Sequence, residues 1–113
     1  MSASKIRNQT LAELRKTFLA MMSPEWDLAL EGKPKSEVTQ AARALLSVQR
    51  ARLRLENSEL AAIRDELAAN EPALSEGIAS LDRALGDLSD VTTVLIAATA
   101  LLKTVGRIIN LAL

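Results

Sequence analysis

The C-terminal segment, residues 91–113, constrains the fold of this chain more than any other part. It reads VTTVLIAATALLKTVGRIINLAL, and its apolar residues recur with a seven-residue repeat. That repeat is typical of a helix packed along its length against other helices. A membrane span needs about 20 apolar residues, and Lys103 and Arg107 interrupt this run. The pattern therefore predicts a helix that the rest of the chain, or another molecule, must cover.

Composition favours the same class of structure. Ala, Leu, Glu, Lys and Arg make up more than half of the 113 residues, a bias typical of long helices and coiled coils. Cys, His and Tyr are absent, which removes thiolate ligands, disulfides and the commonest general acid–base residue. A di-iron bundle site would need Glu-x-x-His pairs. We therefore predict a non-enzymatic protein without catalytic residues, metal, cofactor or small-molecule substrate.

Start and stop signals divide the chain into helices. Thr10 and Glu13 fit a capping box, in which each side chain satisfies a free backbone N–H. Ser23, followed by proline, fits the N-cap of a second helix, and Gly32 fits a left-handed stop. These signals predict two short helices within residues 10–31.

Two longer helices follow, over residues 36–69 and 72–112. Asn70, Glu71 and Pro72 end the first and begin the second, because proline cannot continue a helix. Such a short turn predicts an antiparallel pair. The predicted apolar stripe of the first arm consists of Val38, Ala42, Leu45, Leu53, Leu60, Ile63 and Leu67. The fold class is thus a single all-α domain, residues 1–113: a helical bundle with a long, coiled-coil-like hairpin.

Charges support a register for this hairpin in which the numbers of facing residues sum to about 141. Residues 1–54 contain ten Lys/Arg against five Asp/Glu, whereas residues 55–90 contain nine acids against two arginines. Exposed ion pairs are worth only about 0–1 kcal/mol, so they would select the register more than stabilise it. The predicted pairs include Arg50 with Asp90, Arg54 with Asp87, and Glu37 with Lys103.

A basic cluster on the first arm has two interpretations. Arg43, Arg50 and Arg54 share one helix face and could bind phosphates. In the predicted register, however, Asp87 and Asp90 neutralise much of the cluster, and no aromatic residue lies nearby for base stacking. We expect a structural ion-pair role, with nucleic-acid binding the less favoured alternative.

The plan of small helices followed by a long hairpin resembles the DNA-binding and oligomerising parts of phage small terminase subunits. The resemblance is architectural and covers most of the chain. It implies an oligomeric, DNA-binding packaging protein. No residue motif carries it, so no functional residue is transferred from that family.

The predicted register leaves the end of the C-terminal helix without a partner on the first arm. We therefore predict a helical assembly or adaptor module that self-associates through this helix or binds a helical protein. The alternative is a membrane-associating or pore-forming protein with the same helix in lipid. With no signal-like N-terminus, we expect a cytoplasmic or peripheral membrane location. The predicted interface residues are Ile96, Leu102, Val105, Ile108, Ile109, Leu111 and Leu113.

Overall fold

The structure is a computed structural model that describes residues 2–111, and this part of the chain is all-α. Six helices follow one another along it. They are α1 (Ala3–Met21), α2 (Pro24–Leu30), α3 (Lys35–Asn57), α4 (Leu60–Ala69), α5 (Glu71–Ala84) and α6 (Val91–Ile109). The predicted fold class, an all-α helical bundle, is confirmed.

The four longest helices form the bundle. The apolar helix α6 packs against α3 on one side and α5 on the other, and α1 closes the ring by packing against both α3 and α5. The short helix α4 packs against α1, α5 and α6. Each helix thereby buries an apolar face against at least one neighbour, which supplies most helical stability in proteins.

Contacts between the helices establish their directions. Arg7 Nη1, near the start of α1, donates to the carbonyl oxygen of Ser58 just beyond α3, so these two helices are antiparallel. Helices α5 and α6 are also antiparallel, because Arg83 near the end of α5 lines a shallow groove together with Thr93 near the start of α6. In contrast, Thr92 Oγ1 at the start of α6 donates to Glu37 Oε1 at the start of α3, at 3.0 Å. Helices α3 and α6 therefore run parallel.

The N-terminal start signals are partly wrong. Helix α1 begins at Ala3, and the Ser2 side chain caps it by accepting from the Lys5 amide at 3.2 Å. Thr10 lies inside this helix, where its hydroxyl donates to the Ile6 carbonyl at 2.9 Å instead of capping. The predicted cap of α2 is confirmed, because Ser23 Oγ accepts from the Trp26 amide at 3.3 Å. Gly32 has the expected positive φ, 77°.

The long hairpin is not confirmed, because both of its predicted arms are broken. The first arm divides at Ser58 and Glu59, between α3 and α4. Ser58 adopts an extended backbone and its hydroxyl donates to the Arg54 carbonyl at 2.7 Å. A serine that bonds locally in this way competes with helix continuation. Arg7 then binds the Ser58 carbonyl that the break leaves without a helical partner, at 3.3 Å.

The second arm divides at residues 85–90. Gly86 lies in this turn, and Asp87 accepts hydrogen bonds from both the amide and the hydroxyl of Ser89. Asp90 then caps α6, with its carboxylate accepting from the Thr93 amide at 3.2 Å and the Thr93 hydroxyl at 2.7 Å. Gly, Ser and Asp in one cluster are typical turn residues. The chain therefore reverses direction twice after α4 begins, once near Asn70 and once here.

These reversals make the predicted charge register wrong. Glu37 meets Thr92 at the start of α6 instead of Lys103. Arg50 lies 13 residues beyond Glu37 on α3, about 20 Å along the axis at 1.5 Å per residue, whereas Asp90 lies beside the start of α6. Arg50 and Asp90 are therefore far apart. The resemblance to small terminase subunits depended on the same long hairpin, so the structure does not support it.

The core confirms one predicted apolar face and corrects another. Every member of the α6 repeat within Val91–Ile109 is buried. On α3, however, Val38, Ala42 and Leu53 of the predicted stripe are exposed. The buried residues of α3 are Ala41, Ala44, Val48, Ala51 and Leu55. This face is rich in alanine, which allows α3 to approach its neighbours closely.

The end of α6 is covered by the chain itself. Gly106, Ile108 and Ile109 are buried, and α4 packs against α6 in addition to α3 and α5. The helix ends at Asn110, whose left-handed backbone (φ 53°) allows its amide to donate to the Gly106 carbonyl. The uncovered tail that the hairpin register implied is therefore absent from residues 106–110.

Cross-linking tests the parallel pairing of α3 and α6. The chain has no cysteine, so two can be introduced without interference. We expect Glu37→Cys/Thr92→Cys to be joined within one molecule by a short aromatic bismaleimide, because these side chains touch. The control, Glu37→Cys/Lys103→Cys, separates the thiols by about 16 Å along α6 and should not be joined. Mass spectrometry of peptides checks both; efficient cross-linking of the control alone would mean that the helices are antiparallel.

Candidate interaction groove

A groove runs between the parallel helices α3 and α6, and we call it the α3–α6 groove. Its volume is about 820 Å³. One face of each helix lines it, because residues three and four apart project to the same side. The lining residues used below are Glu37, Arg43, Ala44, Leu46 and Arg50 on α3, and Thr92, Leu95, Ile96, Leu102 and Lys103 on α6.

The groove has a buried apolar floor and two exposed apolar residues. Ala44, Leu95 and Leu102 form the floor, and each is less than a tenth exposed. Leu46 and Ile96 are 60% and 66% exposed. Scattered exposed apolar residues are common. These two, however, line one concave surface, and Ile96 also lines the shallower groove between α5 and α6.

Cations dominate the walls of the groove. Arg43, Arg50 and Lys103 line it, and none of them makes an ion pair or hydrogen bond with another of residues 2–111. Glu37 is the acid of this lining and accepts a hydrogen bond from Thr92. Arg54, the third member of the predicted basic cluster, lies in the last turn of α3 and is not part of the lining. The predicted neutralisation by Asp87 and Asp90 does not occur here.

The structure separates the predicted interface residues into three groups. Ile96 is exposed and Leu102 forms part of the groove floor. Val105, Ile108 and Ile109 are buried within the chain, so the folded protein does not present them to a partner. Leu111 is half-buried against the core, and Leu113 lies outside the described residues.

Sequence reasoning missed two members of the groove. Leu46 lies off the predicted stripe of α3, and an apolar residue off a stripe is itself a signal of an exposed contact. Lys103 was assigned to Glu37 by the hairpin register. Only the parallel direction of α6 brings Lys103 to the same end of the groove as Arg50.

A second group of ionisable residues lies between α1 and α5. Glu13 is 6% exposed, and its Oε2 atom has no hydrogen-bond partner among residues 2–111. Burial, together with the nearby Asp82 carboxylate, raises the pKa of Glu13 to about 7. Lys16 forms an exposed ion pair with Asp82 and holds the pKa of Asp82 below its usual value.

Carboxylates with divergent pKa values are one feature of acid–base catalysts. Glu13, however, lines neither the α3–α6 groove nor the groove between α5 and α6. Within residues 2–111, no group of three or more acidic, His or Cys side chains could hold a metal ion. Glu13 adjoins neither groove. The property that its raised pKa is expected to change is the pH dependence of the protein's folding stability.

Helix α6 is long and apolar enough to cross a membrane. Its mean hydropathy is 1.5, and it is the one such helix within residues 2–111. In the fold, 56% of that stretch is buried, and the core helix of a soluble protein passes the same test. Insertion into lipid would therefore require α6 to leave its contacts with α3 and α5.

Comparison with known proteins does not assign the chain to a family. No family model, curated protein or solved structure matches it. The groove must therefore be interpreted from its own residues.

The buried carboxyl of Glu13 predicts a specific pH dependence of stability. Its pKa is about 7 in the folded protein against 4.5 in the unfolded chain, so the folded state retains a proton that the unfolded state loses. The contribution of Glu13 to stability is complete below about pH 4.5 and is lost as the pH rises through 7. Gln at position 13 cannot ionise. We therefore expect the free energy of unfolding of Glu13→Gln to exceed that of wild type by about 1–3 kcal/mol at pH 8, but not at pH 5.

Urea unfolding followed by circular dichroism at the two pH values measures this difference. Glu76→Gln, at an exposed position on α5, is the control for removal of one carboxylate. If the free energy of unfolding changed by the same amount between pH 5 and pH 8 in wild type and in Glu13→Gln, Glu13 would ionise normally in the folded protein.

Proposed function

We propose that this protein is a non-enzymatic helical assembly module that self-associates through the exposed side of the α3–α6 groove. One observation carries the proposal: Leu46 and Ile96 are largely exposed along a groove whose floor is already apolar. Burying a large aliphatic side chain stabilises by about 1.5–3 kcal/mol relative to leaving it in water.

The shape of the surface also supports contact with helices. Two adjacent helices leave a linear channel between them, and a further amphipathic helix packs into such a channel through side chains spaced three and four residues apart. The walls of the α3–α6 groove are formed by two helices of 23 and 19 residues. A partner helix several turns long would therefore have a continuous surface to contact.

The proposed surface differs from the one that the sequence pattern indicates. The end of α6 is occupied by the chain's own core, so the exposed face of its N-terminal half, around Ile96, takes its place. A glutamate at Leu102 or Ile109 would place a charge in the core and unfold the protein. Assembly is consequently tested at residues that are exposed.

Light scattering after size exclusion tests self-association. At about 50 μM, chosen so that micromolar association is visible, we expect a mass at least twice the 12.2 kDa of one chain. Ile96→Glu should return the mass to that of one chain, because it places a charge in the contact. The matched control is Leu28→Glu on α2, where Leu28 is 65% exposed, nearly the same as Ile96, and lies outside the groove.

The outcomes distinguish the possibilities clearly. A single-chain mass for wild type at this concentration would contradict the proposed function. An assembled wild type with equal loss in both variants would mean that general surface polarity, and not the groove, controls association.

Polyanion binding is the second candidate function, favoured by Arg43, Arg50 and Lys103, which have no ion-pair partner within the described residues 2–111. A duplex-DNA shift assay in low and moderate salt tests it. If the groove binds phosphates, Arg50→Ala should weaken binding and reduce the salt dependence by about one released counterion. Arg64→Ala on α4, an exposed arginine outside the groove, is the control and should leave both unchanged.

A further inference from the structure

The charged residues of the α3–α6 groove are arranged unevenly along its length. Glu37 lies at the end where α6 begins, opposite Thr92. Arg50 and Lys103 lie at the other end, about 20 Å away along α3 and about 16 Å away along α6 at 1.5 Å per residue. Asp90 is also near the first end, where hydrogen bonds from the Thr93 hydroxyl and amide lower its pKa and the nearby Lys33 contributes to the same shift. Lys33 therefore offsets part of the Asp90 charge. The groove is therefore acidic at one end and basic at the other.

The exposed apolar residues lie between the two charged ends of the same groove, with Leu46 nearer Arg50 on α3 and Ile96 nearer Thr92 on α6. Its α3 lining extends from Pro34 to Arg50 and contains Leu46, and its α6 lining extends from Thr92 to Lys103 and contains Ile96. A contact that pairs the groove with a reversed copy of itself would bring the apolar residues of the two molecules together. It would also place the acidic end of each molecule on the basic end of the other.

We infer that the partner in this groove is a second copy of the same chain, related by a two-fold axis through the middle of the groove. Two-fold interfaces use the same patch on both molecules, so the patch must be complementary to itself. The α3–α6 groove meets that requirement, with Glu37 of each copy facing Arg50 and Lys103 of the other. This inference rests on the proposed self-association and adds its geometry.

Arg43 distinguishes this arrangement from binding of an acidic partner. It lies near the middle of the groove, where the two-fold axis brings it towards its own copy. Its long side chain keeps the charged group in water, yet two like charges at the axis oppose association. Arg43→Ala should therefore leave the dimer unchanged or tighten it. With an acidic peptide or a nucleic acid in the groove, the same variant would weaken binding.

Charge reversal tests the two-fold arrangement directly. Glu37→Arg and Arg50→Glu should each weaken the dimer about tenfold or more, because each places like charges opposite one another twice per dimer. The double variant Glu37→Arg/Arg50→Glu should dimerise more tightly than either single variant, because positions 37 and 50 again carry opposite charges. Lys103 is unchanged, so the double variant should remain weaker than wild type. An equimolar mixture of the two single variants should form a mixed dimer, since each contact then joins opposite charges.

Sedimentation equilibrium measures these dissociation constants, and circular dichroism checks that every variant remains folded. The matched controls reverse exposed charges outside the groove, Glu76→Arg on α5 and Arg64→Glu on α4, and should leave the dimer unchanged. A wild type that associates without sensitivity to either single reversal would overturn the two-fold arrangement and leave self-association standing. Failure of the mixture to associate, or weakening by Arg43→Ala, would also overturn it. A monomeric wild type would instead contradict the proposed function, because the protein would not self-associate at all.

Discussion

The burial of α6 is the interaction on which the rest of the structure depends. Its apolar residues occupy more than one side of the helix, so no single neighbour could cover them. Helices α3 and α5 flank it along its length, and α4 adds cover. Apolar burial stabilises by about 25 cal/mol per Å², and α6 contributes more buried residues than any other helix of residues 2–111. The other helices are arranged so that they cover the apolar sides of α6.

The two chain reversals decide what that arrangement leaves exposed. With one reversal near Asn70 and another at residues 85–90, α5 becomes the antiparallel neighbour of α6, and α3 becomes its parallel neighbour. A straight hairpin would have paired α3 and α6 in opposite directions, with acids against bases. The parallel pairing instead leaves Arg43, Arg50 and Lys103 without an ion-pair partner among residues 2–111. The candidate surface is thus a product of the topology more than of any local motif.

Sequence reasoning succeeded where a pattern was long and its side chains large. The seven-residue repeat of α6 predicted a buried face, and every member from Val91 to Ile109 is buried. On α3, apolar residues occur on more than one face, and the prediction favoured the larger ones. The core instead uses Ala41, Ala44 and Ala51, because close approach to α1 and α6 favours small side chains. That preference depends on neighbours that the local sequence does not specify.

The helix breaks illustrate a similar limit. Asn57, Ser58 and Glu59 are not unusual within a helix, and the break is accompanied by a bond from Arg7, more than fifty residues earlier. Residues 85–90 carried a clearer signal in Gly86, Ser89 and Asp90, but the apolar pattern continued on both sides. Arg43, Arg50 and Ile96 could be selected as surface candidates from sequence alone. The sequence alone could not show that these residues line one groove with Leu46 and Lys103, because that arrangement depends on the direction of α6.

The parallel pairing of α3 and α6 has an electrostatic consequence of its own. Every helix carries a partial positive charge at its N-terminus and a partial negative charge at its C-terminus, and two parallel helices place like ends together. Glu37 in the first turn of α3 and Asp90 at the cap of α6 offset one pair of ends. At the opposite ends, Arg54 in the last turn of α3 and Arg107 in the last turn of α6 offset the partial negative charges of the two C-termini. The charges that offset the helix ends therefore change from acidic to basic along α3 and α6, in the same direction as the charges that line the groove between them.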